Sequence, residues 1–328
     1  MSSTSTSALV TGANGFFGSH LAATLLARGY RVRALVRRTS DLSRIRGLGV
    51  ELVYGDVRDP ASLRRAAEGQ RLVFHTAGKV SDWGTYDEFF AANVIGTRNL
   101  IAACQESAVA RLVHISSLTV LGLPRTRQVV TEETPYATSA FDPYTLTKIK
   151  AEGLARAAHG ERGLEVVVVR PGVIWGHGDT TILPRFVELM RKRQMVYVDG
   201  GHNLVALSHV ENLGLGCALA AEVLAAAGRV YHLTDGEDLT AREVLDGLAD
   251  AFQVPRPRLS LPFSAVYALA AAMERLAQAR GDAKPPAVTR YGVRLISNDC
   301  RYDITRARRE LGYEPVISFQ EGIRTLGE

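Results

Sequence analysis

The sequence predicts an α/β fold in which a doubly wound parallel sheet is followed by a smaller, mostly helical C-terminal part. Three observations predict it. Short apolar runs alternate with amphipathic helical patterns, a glycine-rich segment over Thr11–Gly18 follows the first run, and Tyr144 and Lys148 lie four residues apart in a later helical pattern. Continuous apolar strands separated by helices are typical of a parallel sheet that is covered on both faces.

These runs and patterns define the predicted elements. Strands are expected over Ala8–Val10, Arg31–Val36, Glu51–Tyr54, Leu72–His75, Leu112–Ile115 and Val166–Val169. Helices are expected over Asp59–Glu68, Tyr86–Glu106 and Tyr144–His159. A doubly wound sheet binds its ligand at the carboxyl ends of the strands, so the residues that follow each strand form the candidate site.

The first predicted strand runs directly into a glycine-rich loop that opens a helical pattern. Its glycines follow the spacing G-x-x-G-x-x-G. Such a loop makes a tight turn, lets the backbone approach a pyrophosphate and aims a helix N-terminus at the negative charge. An ordinary strand-to-helix turn is the alternative, but a strand before and a helix after favour nucleotide binding in a Rossmann-type domain. The residues expected to contact the dinucleotide are Gly12, Gly15, Phe16, Phe17 and Gly18.

The second predicted strand ends in Arg37 and Arg38, and no acidic residue follows until Asp41. An NAD-binding protein usually has an acidic residue near this point to hold the ribose 2′-hydroxyl, whereas arginine suits a 2′-phosphate. NADP(H) is therefore the favoured cofactor, with Arg37 as the phosphate ligand, and NAD(H) is the alternative. Two arginines that merely extend into solvent are the other interpretation.

The third and fourth predicted strands end in residues suited to the adenosine half of a dinucleotide. After the third strand, Asp56 is expected to accept a hydrogen bond from the adenine amine, and Val57 is expected to cover the adenine ring. After the fourth strand, the small residues Ala77 and Gly78 would let the chain approach the cofactor closely.

The fifth predicted strand and the helix after it carry the candidate chemistry. Positions four apart lie on one face of a helix, so the Tyr144 phenol and the Lys148 ammonium are expected side by side. A nearby positive charge lowers the pKa of a phenol, which suits proton transfer between a ketone and an alcohol. Ser117, at the strand end, is placed to donate a hydrogen bond to a substrate carbonyl, with a simple turn role as the alternative.

The sixth predicted strand ends in a loop that is first rigid and then flexible, Arg170-Pro171-Gly172-Val173. Such a loop is suited to forming a wall beside a nicotinamide ring. Pro171, Gly172 and Val173 are therefore predicted to contact the cofactor.

Beyond this loop the strand–helix alternation loosens into separate helices and short strands. We expect a dinucleotide-binding domain over 1–175, with 205–235 returning to it, and a substrate-binding part over 176–204 and 236–328. The second part offers apolar side chains that would cover a steroid or a long acyl chain, with packing in its own core as the alternative. These side chains are Phe263, Val266, Tyr267, Leu269, Met273 and Leu276.

Composition and charge exclude several other classes. The net charge of +5 is mild and no basic run is interleaved with aromatic residues, so no nucleic-acid partner is expected. Three distant cysteines are typical of a reduced cytoplasmic protein, and the eight histidines show no metal-ligand spacing, so we predict no metal. No apolar stretch reaches the ~20 residues of a transmembrane helix, and shallow membrane contact by 263–279 is a minority alternative.

Taken together in chain order, these motifs resemble the extended short-chain dehydrogenases/reductases. The resemblance also includes Asn93 in an N-x-x-G-T motif and a C-terminal segment over Asp303–Pro315, so it covers essentially the whole chain. Within that superfamily, Gly78–Asp87 is similar to the bacterial 2-alkyl-3-oxoalkanoate reductases. Ser208–Asn212 is similar both to these and to the 3β-hydroxysteroid and sterol-4-carboxylate dehydrogenases. The strand end at Arg37 resembles the NADPH-using dihydroflavonol reductases and departs from the sterol-carboxylate enzymes, which carry an acid there.

The resemblance implies a mechanism and a substrate class. Hydride would pass between nicotinamide C4 and a substrate carbon while Tyr144 gives or takes the hydroxyl proton. Lys148 would lower the pKa of Tyr144 and bind the nicotinamide ribose, and Ser117 would polarise the carbonyl. Asn93 would hold a water that links Lys148 to solvent. The implied activity is NAD(P)-dependent interconversion of a secondary alcohol and a ketone on a large hydrophobic substrate, either a 3β-hydroxysteroid or sterol or a long-chain 3-oxo or 3-hydroxy acid.

Two other function classes stay open. A nucleotide-sugar epimerase or dehydratase would use the same tyrosine and cofactor, but it needs polar and basic groups for a diphosphate, and the alanine-rich C-terminal part argues against that. A non-catalytic NADP sensor is the second, although such proteins often lack the tyrosine or the lysine that are both present here. A homodimer is the expected assembly.

Overall fold

The computed structural model describes residues 5–140 and 142–326. Its strands, in chain order, are β1 (Ser7–Thr11), β2 (Arg31–Val36), β3 (Glu51–Tyr54), β4 (Leu72–His75), β5 (Arg111–Ile115), β6 (Gln128–Val130), β7 (Glu165–Pro171), β8 (Val173–Trp175), β9 (Tyr197–Val198), β10 (Leu204–Val205), β11 (Leu207–His209), β12 (Val230–Leu233), β13 (Leu239–Thr240), β14 (Ser260–Leu261) and β15 (Cys300–Tyr302). Its helices are α1 (Phe16–Ala27), α2 (Pro60–Ala67), α3 (Tyr86–Phe89), α4 (Gly96–Glu106), α5 (Pro143–Ala157), α6 (Leu183–Arg191), α7 (Val210–Glu222), α8 (Ala241–Ala251), α9 (Phe263–Arg280), α10 (Arg290–Ile296), α11 (Thr305–Leu311) and α12 (Phe319–Arg324).

The central sheet has seven strands in the order β12-β7-β5-β4-β1-β2-β3, and all of its pairings are parallel. β1 lies between β2 and β4. From β1 the chain winds outward in one direction through β2 and β3, and then in the other through β4, β5, β7 and β12. This order confirms the predicted doubly wound α/β fold. It places the switch point, where such folds bind ligands, between the carboxyl ends of β1 and β4.

The inner strands of the sheet are buried on both faces, because they are continuously apolar and consecutive side chains point to opposite sides. The edge strand β3 is largely exposed. Val10 lies in a cluster with Leu21 of α1 and Leu213 of α7. Its neighbour Leu9 lies in the cluster on the other face, with Leu100 of α4. Each of these buried side chains contributes about 1.5–3 kcal/mol of hydrophobic stabilisation. The two layers hold the strand ends in fixed positions.

The helix that carries the Tyr–Lys pair starts at Pro143, one position before the predicted start. Asp142 caps it, because its Oδ1 accepts a hydrogen bond from the backbone N–H of Thr145 at 2.7 Å. Proline suits the first helical position, where its missing N–H would have no partner in any case. The helix ends at Ala157 rather than at the predicted His159.

The predicted helix over Tyr86–Glu106 is present, but it is interrupted by a wider turn. A π-helical segment over Phe90–Ile95 joins α3 to α4. Thr85 begins the helix with a capping box, in which its side chain and that of Glu88 each bond the other's backbone N–H. Such π segments often occur at functional sites, and this one carries Asn93.

The segment over 205–235, which was predicted to return to the sheet, contacts it through a helix and a strand. Helix α7 packs in the same apolar cluster as α1 and the sheet, and β12 pairs with β7. A separate apolar cluster contains Trp175, Leu248 and Phe319. The domain boundaries stay a prediction, and their terminal residues 1–4 and 327–328 lie outside the described part of the chain.

Within residues 5–140 and 142–326, no helix has the length and apolar character needed to cross a bilayer. In the same ranges, no group of three or more His, Cys, Asp or Glu side chains could hold a metal ion. Cys104, Cys217 and Cys300 are buried free thiols.

Candidate active site

The residues that follow β1 and β4 press against each other at the switch point. Gly12 has a φ of +70°, and a Cβ there would lie 2.9 Å from the Cα of Ala77. A Cβ on Gly18 would lie 2.1 Å from the carbonyl oxygen of Gly12, so the first turn of α1 needs glycine to approach the loop. Gly15 is the N-cap of α1. This bare backbone loop beside a helix N-terminus is a geometry that suits a pyrophosphate.

The two phenylalanines of the loop have different environments. Phe17 is a buried core residue, 7% exposed. Phe16 is partly exposed, and the Arg44 guanidinium lies 5.9 Å from its ring centroid. Arg44 also donates a hydrogen bond to the carbonyl oxygen of Gly178 at 2.6 Å, so it joins the chain after β2 to the chain after β8.

Arg37 and Arg38 are exposed directly after β2, and the Arg38 guanidinium lies 5.3 Å from the centroid of the Tyr54 ring. The backbone N–H of Ser40 donates to the carbonyl oxygen of Arg37 at 3.0 Å, which closes a turn. Within the described residues, the buried Ser40 hydroxyl oxygen has no hydrogen-bond partner. The turn therefore combines two exposed arginines with an unpaired hydroxyl, and such groups can bind an anionic oxygen.

The predicted adenine ligand, Asp56, is already engaged by a neighbour. Its carboxylate accepts hydrogen bonds from Arg58 Nε at 2.9 Å and from Arg58 Nη2 at 2.8 Å. Arg58, and more weakly Arg37, hold the pKa of Asp56 below its ordinary value despite partial burial. A carboxylate has further lone pairs, so these bonds leave room for an adenine amine. Val57 packs over Gly96, where a Cβ would lie 2.8 Å from the Val57 Cγ2 atom.

Asn93 connects the chain after β4 to the helix of the Tyr–Lys pair. Its Oδ1 accepts from the backbone N–H of Lys79 at 2.7 Å, and its Nδ2 donates to the Lys79 carbonyl oxygen at 3.2 Å. Nδ2 also donates to Thr147 Oγ1 at 3.1 Å. Asn93 therefore holds the chain next to Gly78 in place. These contacts add a positioning role to the predicted water-mediated link with Lys148.

Ser117, Tyr144 and Lys148 come together at the carboxyl end of β5. The Ser117 hydroxyl lies close enough to the Tyr144 phenol to act on its pKa. Thr119 Oγ1 donates to Ser117 Oγ at 3.0 Å. Lys148 lies one turn further along α5, and its Nζ donates to the carbonyl oxygen of Ile115 at 2.6 Å.

The electrostatics of this group differ from the expectation. Burial raises the pKa of the Tyr144 phenol to about 12, and the Ser117 hydroxyl acts in the opposite direction. Burial lowers the pKa of the Lys148 ammonium to about 8, while the Glu152 carboxylate acts to raise it. Lys148 is not among the groups that shift the pKa of Tyr144 here, and its expected effect on the phenol stays a prediction. The ammonium is directed to the Ile115 carbonyl, and burial outweighs the other influences on the phenol.

A buried ion pair lies beneath the site and was not predicted from the sequence. Glu152 is fully buried and pairs with Arg170 at 2.6 Å. It also accepts hydrogen bonds from Ser116 Oγ at 2.5 Å and from the Tyr136 hydroxyl at 2.9 Å. The pair therefore links α5 to the ends of β5 and β7. The available signal was the i, i+4 spacing of Glu152 from Lys148, which puts the two on one helix face.

The loop after β7 is held by hydrogen bonds to β11 and to the residue just before it. The backbone N–H of Gly172 donates to Ser208 Oγ at 2.9 Å. The backbone N–H of Val173 donates to the carbonyl oxygen of Ala206 at 2.8 Å. Because Pro171 ends β7 and Val173 begins β8, the predicted wall residues are held between two strands.

The C-terminal part reaches the site through α10. The Tyr291 ring lies edge-on to the Tyr144 ring, with centroids 6.0 Å apart. Thr289, the N-cap of α10, donates to Asp82 at 2.6 Å, and Arg185 donates to the same carboxylate at 2.5 Å. These four residues were not predicted as site residues. No local pattern in the sequence indicates that a short helix packs beside a distant strand end.

The apolar side chains predicted to cover the substrate lie on different faces of α9. Val266 is buried in a cluster with Val198 and Val293. Leu269 and Leu276 are 53% and 51% exposed. One face of α9 therefore packs into its own part of the protein and another faces outward, and the substrate-covering role of these residues stays a prediction.

Comparison with known proteins agrees with this geometry. Residues 8–233 match the NAD dependent epimerase/dehydratase family. A 2-alkyl-3-oxoalkanoate reductase of Stenotrophomonas maltophilia is 36% identical over 327 residues, which cover 97% of each chain. Sterol demethylase protein B of Methylococcus capsulatus is 34% identical, over 94% of this chain and 93% of the relative. The solved structure of gox2253 is 32% identical with a TM-score of 0.80, over 97% of this chain and 95% of that one.

These matches confirm the resemblance inferred from the motifs, including its reductase and sterol-enzyme branches. They span nearly the whole chain, so they cover both the nucleotide loop and the C-terminal helices that reach Tyr144. The chain belongs to the NAD dependent epimerase/dehydratase family, whose members are extended short-chain dehydrogenases/reductases.

Proposed function

We propose that the protein is an NAD(P)-dependent oxidoreductase that interconverts a ketone and a secondary alcohol on a large hydrophobic substrate. A long-chain 3-oxo or 3-hydroxy acid is the favoured substrate, and a 3β-hydroxysteroid or sterol is the other member of the class. The observation that carries the proposal is the Ser117–Tyr144 contact at the sheet edge that also carries the nucleotide loop. The reductase and sterol-demethylase names of the relatives support the substrate class.

The nicotinamide cofactor, when bound, supplies or accepts the hydride. The loop around Gly12 and Gly18 would hold its pyrophosphate, and Lys148 would bind its nicotinamide ribose. Pro171–Val173 would form the wall beside the ring. Because these groups belong to strand ends and a helix, the protein holds its partners in a fixed orientation, which itself lowers the barrier to reaction.

Tyr144 is the proton donor in ketone reduction. Burial raises its pKa to about 12, so the phenol carries its proton at neutral pH. The substrate carbonyl oxygen would lie between the hydroxyls of Tyr144 and Ser117, which lie close together in the structure. A positioned general acid contributes roughly 10²–10⁴-fold to a rate. A protonated phenol therefore supports the reductive direction.

The experiment follows the absorbance of the reduced nicotinamide with a panel of substrates. We expect NADPH oxidation with long-chain 2-alkyl-3-oxo acids, or NADP⁺ reduction with 3-hydroxy acids or 3β-hydroxysteroids, and little change with UDP-sugars. Tyr144→Phe should retain cofactor binding, since the ring remains, and lose about 10²-fold or more in turnover. Epimerisation of a UDP-sugar without oxidoreduction of any lipid-like substrate would contradict the proposal, as would near wild-type turnover in Tyr144→Phe.

NADP(H) is the proposed cofactor, supported by exposed Arg37 and the orphaned hydroxyl of Ser40. Arg37→Asp removes a phosphate partner and adds a repulsive charge, so the Kd for NADPH should rise roughly 10-fold or more while the Kd for NADH changes much less. Fluorescence titration of both cofactors measures this. Arg258→Asp, an exposed arginine of the C-terminal part, is the control. A wild-type protein that prefers NADH would show this interpretation to be wrong.

A further inference from the structure

Tyr291 brings a second phenol from the C-terminal part to the reacting group. Its ring meets Tyr144 edge-on, with centroids 6.0 Å apart and an interplanar angle of 81°. Helix α10 is anchored where it begins, because Thr289 Oγ1 accepts from the Gly292 N–H at 3.1 Å and donates to Asp82 at 2.6 Å. The phenol is therefore held at the site by regular structure and a buried anchor.

Four hydroxyl groups cluster at this point. Thr119 Oγ1 donates to Ser117 Oγ at 3.0 Å. The Thr119 hydroxyl lies near enough to the Tyr291 phenol to act on its pKa, and the Ser117 hydroxyl acts on the pKa of Tyr144 in the same way. Thr119 and Ser117 are 5% and 7% exposed, so these hydroxyls bond to each other rather than to bulk water.

We propose that Tyr291 is a specificity-determining residue whose hydroxyl donates a hydrogen bond to a second substrate oxygen, the carboxylate oxygen of a 3-oxo or 3-hydroxy acid. The inference rests on the proposed function. Through Tyr291, α10 would distinguish such an acid from a simple ketone or alcohol that lacks the carboxylate.

This cluster of hydroxyls suits a substrate that carries two oxygens. The oxygens on C1 and C3 of a 3-oxo acid can project to the same side of a short carbon segment. Tyr144 and Ser117 would hold the reacting oxygen, and Tyr291 offers the adjacent donor. Burial raises the pKa of Tyr291 well above its ordinary value, so it keeps its proton and donates to an anionic oxygen. A site built to bond a substrate oxygen rejects analogues that lack it, because its buried donor is then unpaired.

The charges near Tyr291 are balanced. Asp82 and Asp142 both lie close enough to raise the pKa of Tyr291, after the larger effect of burial. Arg185 donates to Asp82 at 2.5 Å. Burial raises the pKa of Asp142, and the nearby charge of Arg294 acts to lower it. Each aspartate is thus close to an arginine. The surroundings of a bound substrate carboxylate would therefore not carry a net negative charge.

The test compares Tyr291→Phe with the wild-type full chain in the presence of NADP⁺. Two substrates of matched chain length are used, a long-chain 2-alkyl-3-hydroxy acid and the secondary alcohol that lacks only its carboxylate. Phenylalanine keeps the edge contact with Tyr144, so the substitution removes only the hydroxyl. Tyr231→Phe is the control, because it removes another tyrosine hydroxyl. Tyr231 lies on the remote strand β12, and its hydroxyl donates to Glu310 at 3.1 Å. KM and kcat come from absorbance, and Kd comes from calorimetry.

We expect Tyr291→Phe to raise KM and Kd for the hydroxy acid by roughly 10-fold or more, since a charge-assisted hydrogen bond is lost. The Kd for the alcohol, and kcat, should change by less than about 2-fold. An equal loss for both substrates, or no loss for either, overturns the assignment of Tyr291. If the wild-type protein neither binds nor oxidises either substrate, the proposed function fails and this inference fails with it.

Discussion

Single residues beneath Tyr144 determine the charge state of the site. Burial favours the neutral amine of Lys148, whereas the Glu152 carboxylate favours the ammonium. Glu152 is itself held by Arg170, which donates through Nε at 3.1 Å and Nη2 at 2.6 Å. Lys148 Nζ donates to the Ile115 carbonyl, and the ammonium is the stronger donor, so the buried acid favours the form that makes the stronger bond.

Glu152→Gln removes this negative charge while keeping the side-chain shape. The pKa of Lys148 should then fall further, so kcat/KM for ketone reduction should decline at a lower pH on the alkaline side than in the wild type. Leaving Arg170 as an unpaired buried cation should also cost about 3–5 kcal/mol of stability. The pH–rate profile and the thermal midpoint measure the two effects. Glu161→Gln, at an exposed position, is the control, and an unmoved alkaline limb would contradict the prediction.

At this scale the sequence is informative where a local spacing carries the chemistry. Tyr144 and Lys148 could be identified because helix geometry makes residues four apart neighbours. Glu152 has the same spacing from Lys148, but the pattern does not tell a buried acid from an exposed one. Tyr291 could not be predicted, because its approach to Tyr144 depends on packing between distant parts of the chain.

Among the elements, the contact between the chain after β4 and the start of α10 joins the two sides of the site. Asp82 accepts hydrogen bonds from both Arg185 and Thr289. Its neighbour Trp83 donates through Nε1 to the carbonyl oxygen of Asp282 at 3.0 Å. The position of α10 against Tyr144 therefore depends on residues that follow a strand of the central sheet.

Asp82→Ala should loosen α10 without disturbing the nucleotide loop. We expect KM for the hydrophobic substrate to rise roughly 10-fold, and stability to fall by about 1–3 kcal/mol because Arg185 loses a charged partner. The Kd for NADPH should stay close to the wild-type value. Steady-state kinetics, cofactor titration and thermal melting measure these quantities. Asp238→Ala, which breaks only an exposed pair with Arg301 at 3.3 Å, is the control, and a parallel loss of cofactor affinity would refute the separation.

The elements themselves could be predicted where hydrophobic periodicity is strong. The strands of the sheet match the apolar runs closely, although β7 extends to Pro171 beyond the predicted Val169. The π-helical segment was not foreseen, because α and π turns share nearly the same apolar pattern. Short strands such as β15 form only because β6, far away in the chain, pairs with them, and no local pattern reveals such a partner.

Across the whole molecule, buried histidines make the fold sensitive to acid. Burial lowers the pKa of His75 and of His232 to about 3, and that of His114 well below the ordinary value of 6.5. As pH falls below 6.5 the unfolded chain binds protons that the folded protein excludes. The stability contributed by these neutral histidines is therefore present above pH 6.5 and is lost as pH falls toward the folded pKa values.

His114→Leu should reduce this sensitivity. Within the described residues, both ring nitrogens of His114 are buried without a hydrogen-bond partner, so an apolar side chain of similar size should leave the thermal midpoint at pH 7 unchanged or raised. Below pH 6.5 the midpoint should fall less steeply than in the wild type. Circular dichroism melts across the pH range measure both slopes, with exposed His202→Leu as the control. Parallel slopes for His114→Leu and wild type would show that His114 does not contribute.

At this largest scale the fold class was predictable, whereas the buried faces of the C-terminal helices were not. The sheet follows from apolar runs and short connections, whereas the faces of α9 depend on which neighbours each turn meets. Val266 became a core residue and Leu269 an exposed one, although both belong to the same apolar stretch. The expected homodimer stays a prediction, which size-exclusion chromatography with light scattering would test.

The place of α10 in the chain bears on how such an enzyme can diverge. The residues proposed to contact the nucleotide and to carry the reacting proton all precede the end of β8, whereas the phenol that meets Tyr144 comes from a short helix near the other end of the chain. Mutations in α10 and in its anchor at Asp82 can therefore reshape substrate choice while the redox half is inherited unchanged. A duplicated copy of such a gene could acquire a new substrate by altering very few codons.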